Sequence, residues 1–401
     1  MSPTTAPRPL DGIRILEVGQ LLAGPFAGCL LAYFGAEVIK IEPRGGDPLR
    51  KWRVLRDGTS LWWYSLARNK KSVTIDLQAE RGRELVRELA GKCDVMIENF
   101  KPGTMEKWGL GPQELQASRP GLIYARVSGY GQSGPYAEKP GFASVCEAMG
   151  GLRYLNGFPD RPPVRPNLSL GDTLAGMHAA MGVLLALVSK LRSRSDGQVV
   201  DASIFESVFN MLEGVVPEYD GAGVVRGPSG STLTGIVPSN TYLCADGKHV
   251  VIGANGDSLF QRLMRAIGRD DLAADPRVAD NAGRVEHEAE IDAVIAAWTH
   301  ANDSALVLAT LDKIAVPGGS IYSVADMFAD PHYQARDLFE TVEVGSGTLK
   351  IPAITPKLSA TPGRTESAGP ALGEHTDEVL KQMLGMTQEQ LAELREEKVI
   401  G

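Results

Sequence analysis

One carboxylate stands out by its position in the chain. Asp172 follows Gly171, has no cationic partner nearby in the sequence, and precedes a nearly uncharged helical stretch, Thr173–Leu187. A carboxylate in such a place must be exposed, hydrogen-bonded or functional, because burial of an unpaired charge is costly. Asp172 could cap the helix by accepting backbone N–H groups, or it could be an exposed nucleophile that forms a covalent intermediate. The residues alone favour the cap, since Asp is a preferred N-cap type.

Histidines and cysteines show no metal-binding spacing. The six histidines form no HxxxH or HxH pattern, and the four cysteines lie far apart without a CxxC pair. We therefore predict no metal site. The cysteine pattern indicates reduced, packed thiols of a cytosolic protein.

Composition and charge exclude several classes of partner. The chain has 401 residues, 43% of them hydrophobic and 22% charged, as in soluble globular proteins. Its net charge of -8 gives no general attraction to nucleic acid or anionic membranes. Met1–Pro9 lacks the apolar core of a signal peptide, and the longest apolar stretch, Met177–Val188, is too short to span a bilayer. We expect a cytoplasmic protein of two or three domains, without nucleic-acid or membrane partners.

Strand and helix signals alternate in the first half of the chain. A strand at Ile13–Val18, a helix at Ala23–Gly35 and a strand at Glu37–Glu42 form a βαβ unit. Further strands are predicted at 72–76, 94–98, 122–127 and 198–203. Further helices are predicted at 79–91, 173–192 and 204–214. This alternation predicts an α/β fold with a parallel sheet covered on both faces and ligands at the carboxyl ends of its strands. Asn99 and Phe100 would lie at one such end.

The glycines after the first strand do not form a dinucleotide fingerprint. Gly19, Gly24 and Gly28 are spaced too widely for GxGxxG, which excludes a standard NAD or FAD site. Glu42, at the end of the second strand, could bind a ribose, but a capping or solvated acid is an equal alternative.

The second half of the chain predicts a smaller domain. Residues 1–216 form the predicted large domain, completed by 330–401, and the glycine- and proline-rich residues 217–240 are a predicted linker or binding loop. The Asp-Gly turn at 246–247 predicts a hairpin, and helices follow near 258–268, 287–300 and 303–313. A small α+β domain thus covers 241–325, followed by a return segment at 326–401 with a strand pair around 345–347 and a C-terminal helix.

Seven stretches, in chain order, resemble the class III CoA-transferases, the group of formyl-CoA transferase and carnitine CoA-transferase. They are Pro9–Gly12, Gly35–Glu42, Asn69–Ser72, Glu98–Gly103, Gly129–Pro135, Gly171–Asp172 and Leu372–Leu380. The resemblance covers essentially the whole chain. It implies a Rossmann-like large domain that binds CoA, a small α+β domain, and an interlocked homodimer.

The resemblance assigns the nucleophile to Asp172 and reverses the preference for a cap. It implies double displacement, in which the carboxylate forms an anhydride with the donor acyl group and then a thioester with CoA. Such chemistry needs donors for an oxyanion and exclusion of water. It needs no metal and no tightly bound cofactor, with coenzyme A and acyl-CoA acting as substrates.

The resemblance also implies binding residues, although core packing and ordinary solvation remain alternatives for several of them. For CoA they are Gln20, Leu22, Arg44, Lys71, Asn99, Phe100 and Lys107, with Arg68 as a further anion-binding candidate. For the acyl substrates they are Phe142, Arg165 and Gly235, the last within a segment that stands where formyl-CoA transferase has a glycine run.

Departures from the family pattern narrow the activity. Leu22 replaces a glutamine of formyl-CoA transferase, which argues against formyl-CoA and oxalate as substrates. The related α-methylacyl-CoA racemases use a His after a Gly, where this chain has Gly141-Phe142, and Phe142 cannot exchange a proton. His178 could replace that base but is more typical of a packed helical residue. A non-catalytic CoA-binding subunit is a further alternative.

Several stretches look closest to enzymes that transfer CoA from succinyl-CoA to small dicarboxylates. They are Met105–Gly111, Pro140–Ala143 and Pro356–Pro362, and they most resemble malate or citramalate enzymes, with itaconate and mesaconate enzymes close by. A dicarboxylate needs a second anion site, and Arg165, Arg153 or Arg126 could supply it.

Overall fold

The computed structural model of the protein describes residues 6–193, 196–345 and 347–401. Most of Met1–Pro9, in which no signal peptide was predicted, lies outside the described residues. Contacts divide the chain into two compact units. The first comprises the described parts of 1–152, 166–213 and 333–401, and the second comprises 153–165 and 214–332. The boundaries differ from the expected ones mainly in assigning 153–165 and 217–240 to the second unit.

The strands of the described ranges are short, with two to six residues each. In chain order they are β1 (Arg14–Glu17), β2 (Glu37–Glu42), β3 (Leu55–Arg56), β4 (Thr59–Ser60), β5 (Lys70–Thr74), β6 (Val95–Glu98), β7 (Ile123–Ser128), β8 (Val199–Ser203), β9 (Ser239–Leu243), β10 (His249–Gly253), β11 (Gly318–Ser320), β12 (Phe339–Val344) and β13 (Gly347–Pro352).

The helices alternate with these strands in the first half of the chain and dominate the second half. In chain order they are α1 (Ala23–Tyr33), α2 (Leu61–Leu66), α3 (Glu80–Ala90), α4 (Thr104–Lys107), α5 (Pro112–Ser118), α6 (Ala143–Met149), α7 (Leu152–Leu155), α8 (Leu170–Ser193), α9 (Ile204–Phe209), α10 (Val215–Ala222), α11 (Asp257–Ala266), α12 (Asp270–Ala273), α13 (Asn281–Glu286), α14 (Glu288–His300), α15 (Ser304–Lys313), α16 (Val324–Ala329), α17 (Pro331–Ala335), α18 (Thr376–Leu384) and α19 (Gln388–Glu396). Short 3-10 helices lie at Pro48–Lys51 and Pro276–Val278.

A six-stranded parallel sheet forms the centre of the first unit, which confirms the predicted α/β fold. Its order is β5-β2-β1-β6-β7-β8, so the chain reverses its direction of sheet growth between β1 and β6. In open parallel sheets, ligands bind outside the carboxyl ends of the strands at such a reversal. The fold therefore indicates where a site should be sought before any side chain is considered.

Each face of the sheet has its own apolar core. On one face, α1 packs against α8 closely enough that a Cβ at Gly176 would lie 2.7 Å from the Ala23 carbonyl oxygen. On the other face, leucines and valines of α3 pack with apolar side chains of α18 and α19. The C-terminus joins this core, since Ile400 forms a β-bridge with Ile75. N-terminal and C-terminal segments thus build one core together.

The helix that carries Asp172 is longer than predicted. α8 begins at Leu170 and runs for 24 residues, so Asp172 lies within the first helical turn and not at a cap position before it. By length and composition alone α8 could cross a membrane, with a mean hydropathy of 1.6, because the helix extends beyond the apolar stretch Met177–Val188 at both ends. Its contacts with α1, α9, β7 and β8 are those of a helix that packs on a sheet.

The second unit contains the antiparallel sheet β11-β10-β9, with the predicted hairpin formed by β9 and β10. Its core is formed with α11, α14 and α15. The predicted linker at 217–240 begins inside α10 (Val215–Ala222). Pro217 falls in the first turn of this helix, where proline is tolerated, while residues 223–238 contain no helix or strand.

Candidate active site

A cavity of about 280 Å³ lies where the order of the sheet reverses, and every residue that lines it belongs to the first unit. Its walls come from the loops that follow β1, β6 and β7 and from the first turn of α8. It brings together six of the residues proposed from the sequence: Gln20, Leu22, Asn99, Phe100, Phe142 and Asp172.

Asn99 holds the loop that follows β1. Its Oδ1 accepts the Gln20 N–H at 2.8 Å, and its Nδ2 donates to the Gln20 carbonyl at 2.8 Å. This side chain fits only because two neighbours are glycines: a Cβ at Gly19 would lie 2.8 Å from Asn99 Oδ1, and one at Gly24 would lie 3.3 Å from Asn99 Cβ. The wide spacing of these glycines, which excluded a dinucleotide fingerprint, thus serves close packing of Asn99 against the loop.

Phe100 is positioned by a buried carboxylate. Glu98 Oε2 accepts the Phe100 N–H at 2.7 Å, and the ring of Phe100 meets Trp108 edge to face at a centroid distance of 5.3 Å. Glu98 Oε1 accepts from Arg126 Nε at 2.8 Å, and Arg126 also pairs with Glu106. Burial raises the pKa of Glu98 to about 7, against the opposing influence of Arg126.

Ionisation of Glu98 predicts a pH dependence of stability. Between its ordinary pKa of 4.5 and about 7, the folded protein holds a proton that the unfolded chain has lost. The free energy of unfolding should therefore fall as the pH rises through this window, relative to the Glu98→Gln variant. Denaturant titrations of the wild type and of Glu98→Gln at pH 5 and pH 8 measure this change in the free energy of unfolding. An increase with pH would mean that Arg126 outweighs burial and that the folded pKa lies below its ordinary value.

The first turn of α8 is held in place by close contacts. The Gly171 N–H donates to Glu147 Oε1 at 3.0 Å, and Glu147 is fully buried. A Cβ at Gly171 would lie 2.8 Å from Ile204 Cγ2 and 3.0 Å from Glu147 Cγ, so only glycine fits without displacement. Asp172, half-buried in the cavity wall, follows directly. The Gly-Asp pair thus places a carboxylate at the positive end of a long helix, which favours its anionic form.

Cys146 is a thiol near Asp172, but it is kept protonated. Burial, assisted by the carboxylates of Asp172 and Glu147, raises the pKa of this thiol to about 11 against the opposing hydrogen bond with Tyr130. A thiol with that pKa reacts poorly at neutral pH, because the thiolate is the nucleophilic form.

Phe142 lines the cavity and is 72% exposed. It follows Gly141, whose backbone lies close to that of Gly129. A Cβ at Gly129 would lie 3.0 Å from the Gly141 Cα, so the loops that carry them could not approach with larger residues. His178, the other position considered for a proton-transfer base, is half-buried in α8 and is not part of the cavity lining.

Several predicted binding residues are not brought to the cavity. Arg44 and Lys107 are exposed on segments that follow β2 and β6, and Arg44 donates to the Lys398 carbonyl at 3.4 Å. Lys71 lies near the amino end of β5, away from the carboxyl ends, and pairs with Glu37 and Glu378. Arg165 and Gly235 belong to the second unit, as does Arg153.

Three charged residues proposed as ligand contacts are instead buried in ion pairs. Arg68 is 2% exposed and bonds Glu340 and the Pro352 carbonyl. Arg126 forms ion pairs with Glu98 and Glu106, so it is not available to bind the second carboxylate of a dicarboxylic acid. Glu42 is fully buried.

The carboxylate of Glu42 accepts from Arg50, Ser72 and the Asp47 N–H, which excludes the proposed ribose contact. Its position at the end of β2 misled the prediction because a strand end can be covered by the next segment of the chain.

Among the residues of this site that the sequence did not point to are Trp52, Lys101, Ser128 and Glu147. The first three line the cavity, and Glu147 supports α8. Lys101 could have been found, because it directly follows Asn99 and Phe100 at the end of β6. Among the described residues, no cluster of three or more His, Cys, Asp or Glu side chains is arranged to hold a metal ion.

Comparison with known proteins agrees with this geometry. The model of CoA-transferase family III matches residues 10–376. A succinyl-CoA–D-citramalate CoA-transferase of Chloroflexus aurantiacus is 50% identical over the full length of both chains. The alpha subunit of a succinyl-CoA–L-malate CoA-transferase of Chloroflexus aurantiacus is 43% identical, covering 98% of this chain and 92% of the other.

A solved structure supports the same assignment. The crystal structure of a CAIB/BAIF family protein from Brucella suis superposes with a TM-score of 0.83 at 34% identity, covering 94% of this chain and 99% of that chain. Fold, full-length identity and the family model agree, and each spans the segments that form the cavity. The chain therefore belongs to CoA-transferase family III and is a CoA-transferase, an enzyme that uses CoA thioesters as substrates.

Proposed function

We propose that this enzyme transfers CoA from succinyl-CoA to a small dicarboxylic acid of four or five carbons, with Asp172 as the covalent nucleophile. The observation that carries the proposal is the cavity at the sheet reversal, where Asp172 stands with Gln20, Leu22, Asn99 and Phe100. The full-length relative at 50% identity, which uses succinyl-CoA and D-citramalate by its name, supports this substrate class. The strand order of the first unit supports a Rossmann-like description of its CoA-binding fold.

The first half of the reaction charges Asp172 with CoA. A carboxylate oxygen of Asp172 attacks the thioester carbonyl of succinyl-CoA, the C–S bond breaks, and CoA leaves as a thiolate. The resulting mixed anhydride is attacked by that thiolate at the Asp172 acyl carbon, which releases succinate and leaves an aspartyl–CoA thioester. The thioester exchange thus proceeds through covalent catalysis without a separate base.

The second half transfers CoA to the acceptor. A carboxylate of the acceptor attacks the aspartyl–CoA carbonyl and expels the thiolate, giving a new mixed anhydride. The thiolate then attacks the acyl carbon of the acceptor, forming the new acyl-CoA and restoring the Asp172 carboxylate. Each intermediate is hydrolysed if water enters, so the reaction requires a closed site.

The start of α1 is our candidate for the oxyanion donors. α1 begins in the cavity wall, and its N-cap residue, Leu22, provides no side-chain hydrogen bond. The first N–H groups of a helix have no acceptor within the helix, and donors of this kind stabilise the oxyanion of acyl transfer. A cavity of about 280 Å³ suits the acyl group and thioester, while the exposed Arg44 and Lys107 remain our candidates for the CoA phosphates.

A transfer assay tests the proposal. Purified enzyme is incubated with succinyl-CoA and one acceptor from a panel of D-citramalate, L-malate, itaconate, mesaconate and glutarate, and the acyl-CoA products are separated and weighed by mass spectrometry. We expect one or more acceptors to give its CoA thioester together with stoichiometric succinate. Absence of any new thioester across the panel would contradict the proposed substrate class.

Racemisation is the second candidate, and the site disfavours it. Phe142 occupies the position of the expected base, and His178 does not line the cavity. In deuterium oxide a racemase would introduce deuterium at the α-carbon of a 2-methylacyl-CoA without any acceptor acid. We expect no incorporation. If the chain were a non-catalytic subunit, it would bind CoA without transferring it, and transfer would occur only after a different, catalytic chain is added.

We also propose a cytoplasmic homodimer. Six large apolar side chains of α8 form an exposed stripe: Met177, Met181, Leu184, Leu185, Val188 and Leu191. An apolar cavity of about 400 Å³ adjoins it, lined in part by Leu10, Leu30 and Phe34. Contiguous apolar surface of this kind is typical of an interface. Light scattering should give twice the chain mass of 42.9 kDa, and a persistent monomer would contradict the proposal.

The cytoplasmic location is supported by the cysteines. All four are free and buried, which suits a reducing cytoplasm.

A further inference from the structure

The loop between β1 and α1, residues 18–22, adopts a conformation that its sequence does not favour. Leu21 has a φ of 61°, in the left-handed region. In this conformation the Cβ of an L-residue lies too close to the following carbonyl oxygen, so it is unfavourable without support. Gln20, Leu21, Leu22 and Ala23 all line the cavity that contains Asp172. Surrounding contacts must therefore hold the loop in place, and they determine the geometry of one wall of the site.

Asp47 supplies the contact to the strained residue. Its carboxylate oxygens accept the Leu21 N–H at 3.1 and 3.2 Å, and Oδ1 also accepts the Leu49 N–H at 2.9 Å. Asp47 is 1% exposed, so water does not compete for these bonds. A charged acceptor in a buried setting forms stronger hydrogen bonds than a neutral one.

Lys40 holds both Asp47 and the beginning of the loop. Its Nζ lies 2.9 Å from Asp47 Oδ2 and 3.1 Å from Glu17 Oε1, and it donates to the Gly19 carbonyl at 2.8 Å. Burial by itself would lower the pKa of Lys40, but the carboxylates of Asp47, Glu17 and Glu42 outweigh it and raise the pKa. Lys40 is therefore charged at neutral pH.

Three consecutive residues of the loop are thus held by side chains from other parts of the first unit, two of them buried. Lys40 binds the Gly19 carbonyl, Asn99 binds the N–H and carbonyl of Gln20, and Asp47 binds the Leu21 N–H. Asn99 also lines the cavity, whereas neither Asp47 nor Lys40 is part of its lining. Asp47 can therefore act on the reaction only indirectly, through this loop or through the 3-10 helix Pro48–Lys51, which it caps and which precedes Trp52 of the cavity wall.

We propose that Asp47, fixed by Lys40, is a positioning residue that locks Leu21 in the left-handed conformation and so orients residues 20–23 for the covalent step at Asp172. This inference rests on the proposed nucleophilic role of Asp172. Its physical basis is that misplacement of a reacting group by about 1 Å can cost on the order of 100-fold in rate. The relaxed loop would leave CoA binding largely intact and slow the chemistry.

A double-mutant cycle tests the proposal. Asp47→Ala removes the acceptor of the Leu21 N–H, and Leu21→Asn introduces a side chain that tolerates the left-handed region without help. We measure the single-turnover rate of covalent adduct formation at saturating succinyl-CoA, the Kd for CoA, and the melting temperature. Asp47→Ala should slow adduct formation roughly 10- to 100-fold, with the Kd for CoA changed less than about twofold. In the Leu21→Asn background the same change should cost less than about threefold.

Two further variants guard against a purely structural effect. Asp47→Asn keeps an acceptor for the Leu21 N–H but loses the charge opposite Lys40, so its rate should lie between those of wild type and Asp47→Ala. Glu340→Gln weakens a buried pair with Arg68 in another part of the unit, and should keep the adduct rate within about twofold. If Asp47→Ala does not fold, Asp47→Asn replaces it in the cycle.

The outcomes separate this proposal from the proposed function. A wild-type adduct rate in folded Asp47→Ala would overturn the positioning role, as would an equal loss in the Leu21→Asn background, while leaving the function intact. If the wild type itself forms no adduct with any acyl-CoA donor, the nucleophilic role of Asp172 fails, and the positioning role fails with it.

Discussion

Replacing Asp172 with Asn or Ala should abolish CoA transfer. Both changes remove the carboxylate that must attack the thioester, and the neighbouring Cys146 thiol cannot replace it, since burial raises the pKa of that thiol to about 11. Loss of a covalent nucleophile lowers kcat by about 10⁴-fold or more. We expect that loss in the transfer of CoA from succinyl-CoA to the best acceptor, measured by mass spectrometry of the thioester products.

Fold and binding controls define the meaning of this result. Both variants should keep the wild-type melting temperature within a few degrees and bind CoA, because Asp172 is half-buried at a cavity wall. Asp270→Asn, which removes an exposed acid from the first turn of α12 in the second unit, should leave transfer unchanged. Residual activity above one tenth of wild type in Asp172→Ala would contradict a covalent role.

Replacing Glu17 with Gln should cause the largest loss of stability. Glu17 is fully buried between two lysines, with Oε1 3.1 Å from Lys40 Nζ and Oε2 2.7 Å from Lys70 Nζ. Removal of one partner from a buried ion pair costs about 3–5 kcal/mol, because the remaining charge stays in the interior without compensation. Denaturant titration measures the free energy of unfolding.

The same variant should respond to pH in a defined direction. Burial already lowers the pKa of Lys70, although Glu17 opposes it, so removal of Glu17 should lower it further. The unfolded chain then binds a proton that the folded chain has lost at high pH, and stability should rise as the pH approaches 10.5. Glu84→Gln is the control, since its pair with Arg81 is exposed and contributes about 1 kcal/mol or less. Equal losses of unfolding free energy in Glu17→Gln and Glu84→Gln would contradict a special role of the buried carboxylate.

The sequence predicted the sheet because its strands are compact apolar runs. The run that contains β1 predicts a buried strand, and the bounds of β2 agree residue for residue with the prediction. The ends of these strands also indicated where a site should lie, so Asn99 and Phe100 could be placed there before the structure was known. The nucleophilic role of Asp172 depended on the family resemblance, because the residues alone favour a helix cap at a lone Asp.

Side chains that pair across the sheet could not be assigned in this way. Arg126 and Glu98 occupy the same register position on β7 and β6, yet they lie 28 residues apart in the sequence. Asp47 and Leu21 are likewise separated by 26 residues, and only the folded loop shows that one holds the other. Cationic residues read from a single sequence as anion sites are therefore ambiguous, because a buried carboxylate partner leaves no local signal.

The most direct test of the covalent account is the intact mass of the protein after brief incubation with succinyl-CoA and acid quenching. We predict a CoA thioester adduct that maps to the peptide containing Asp172, disappears on addition of the acceptor acid, and is missing from Asp172→Ala. An adduct on another residue, or an unmodified protein that still transfers CoA, would contradict the assignment of Asp172 as the nucleophile.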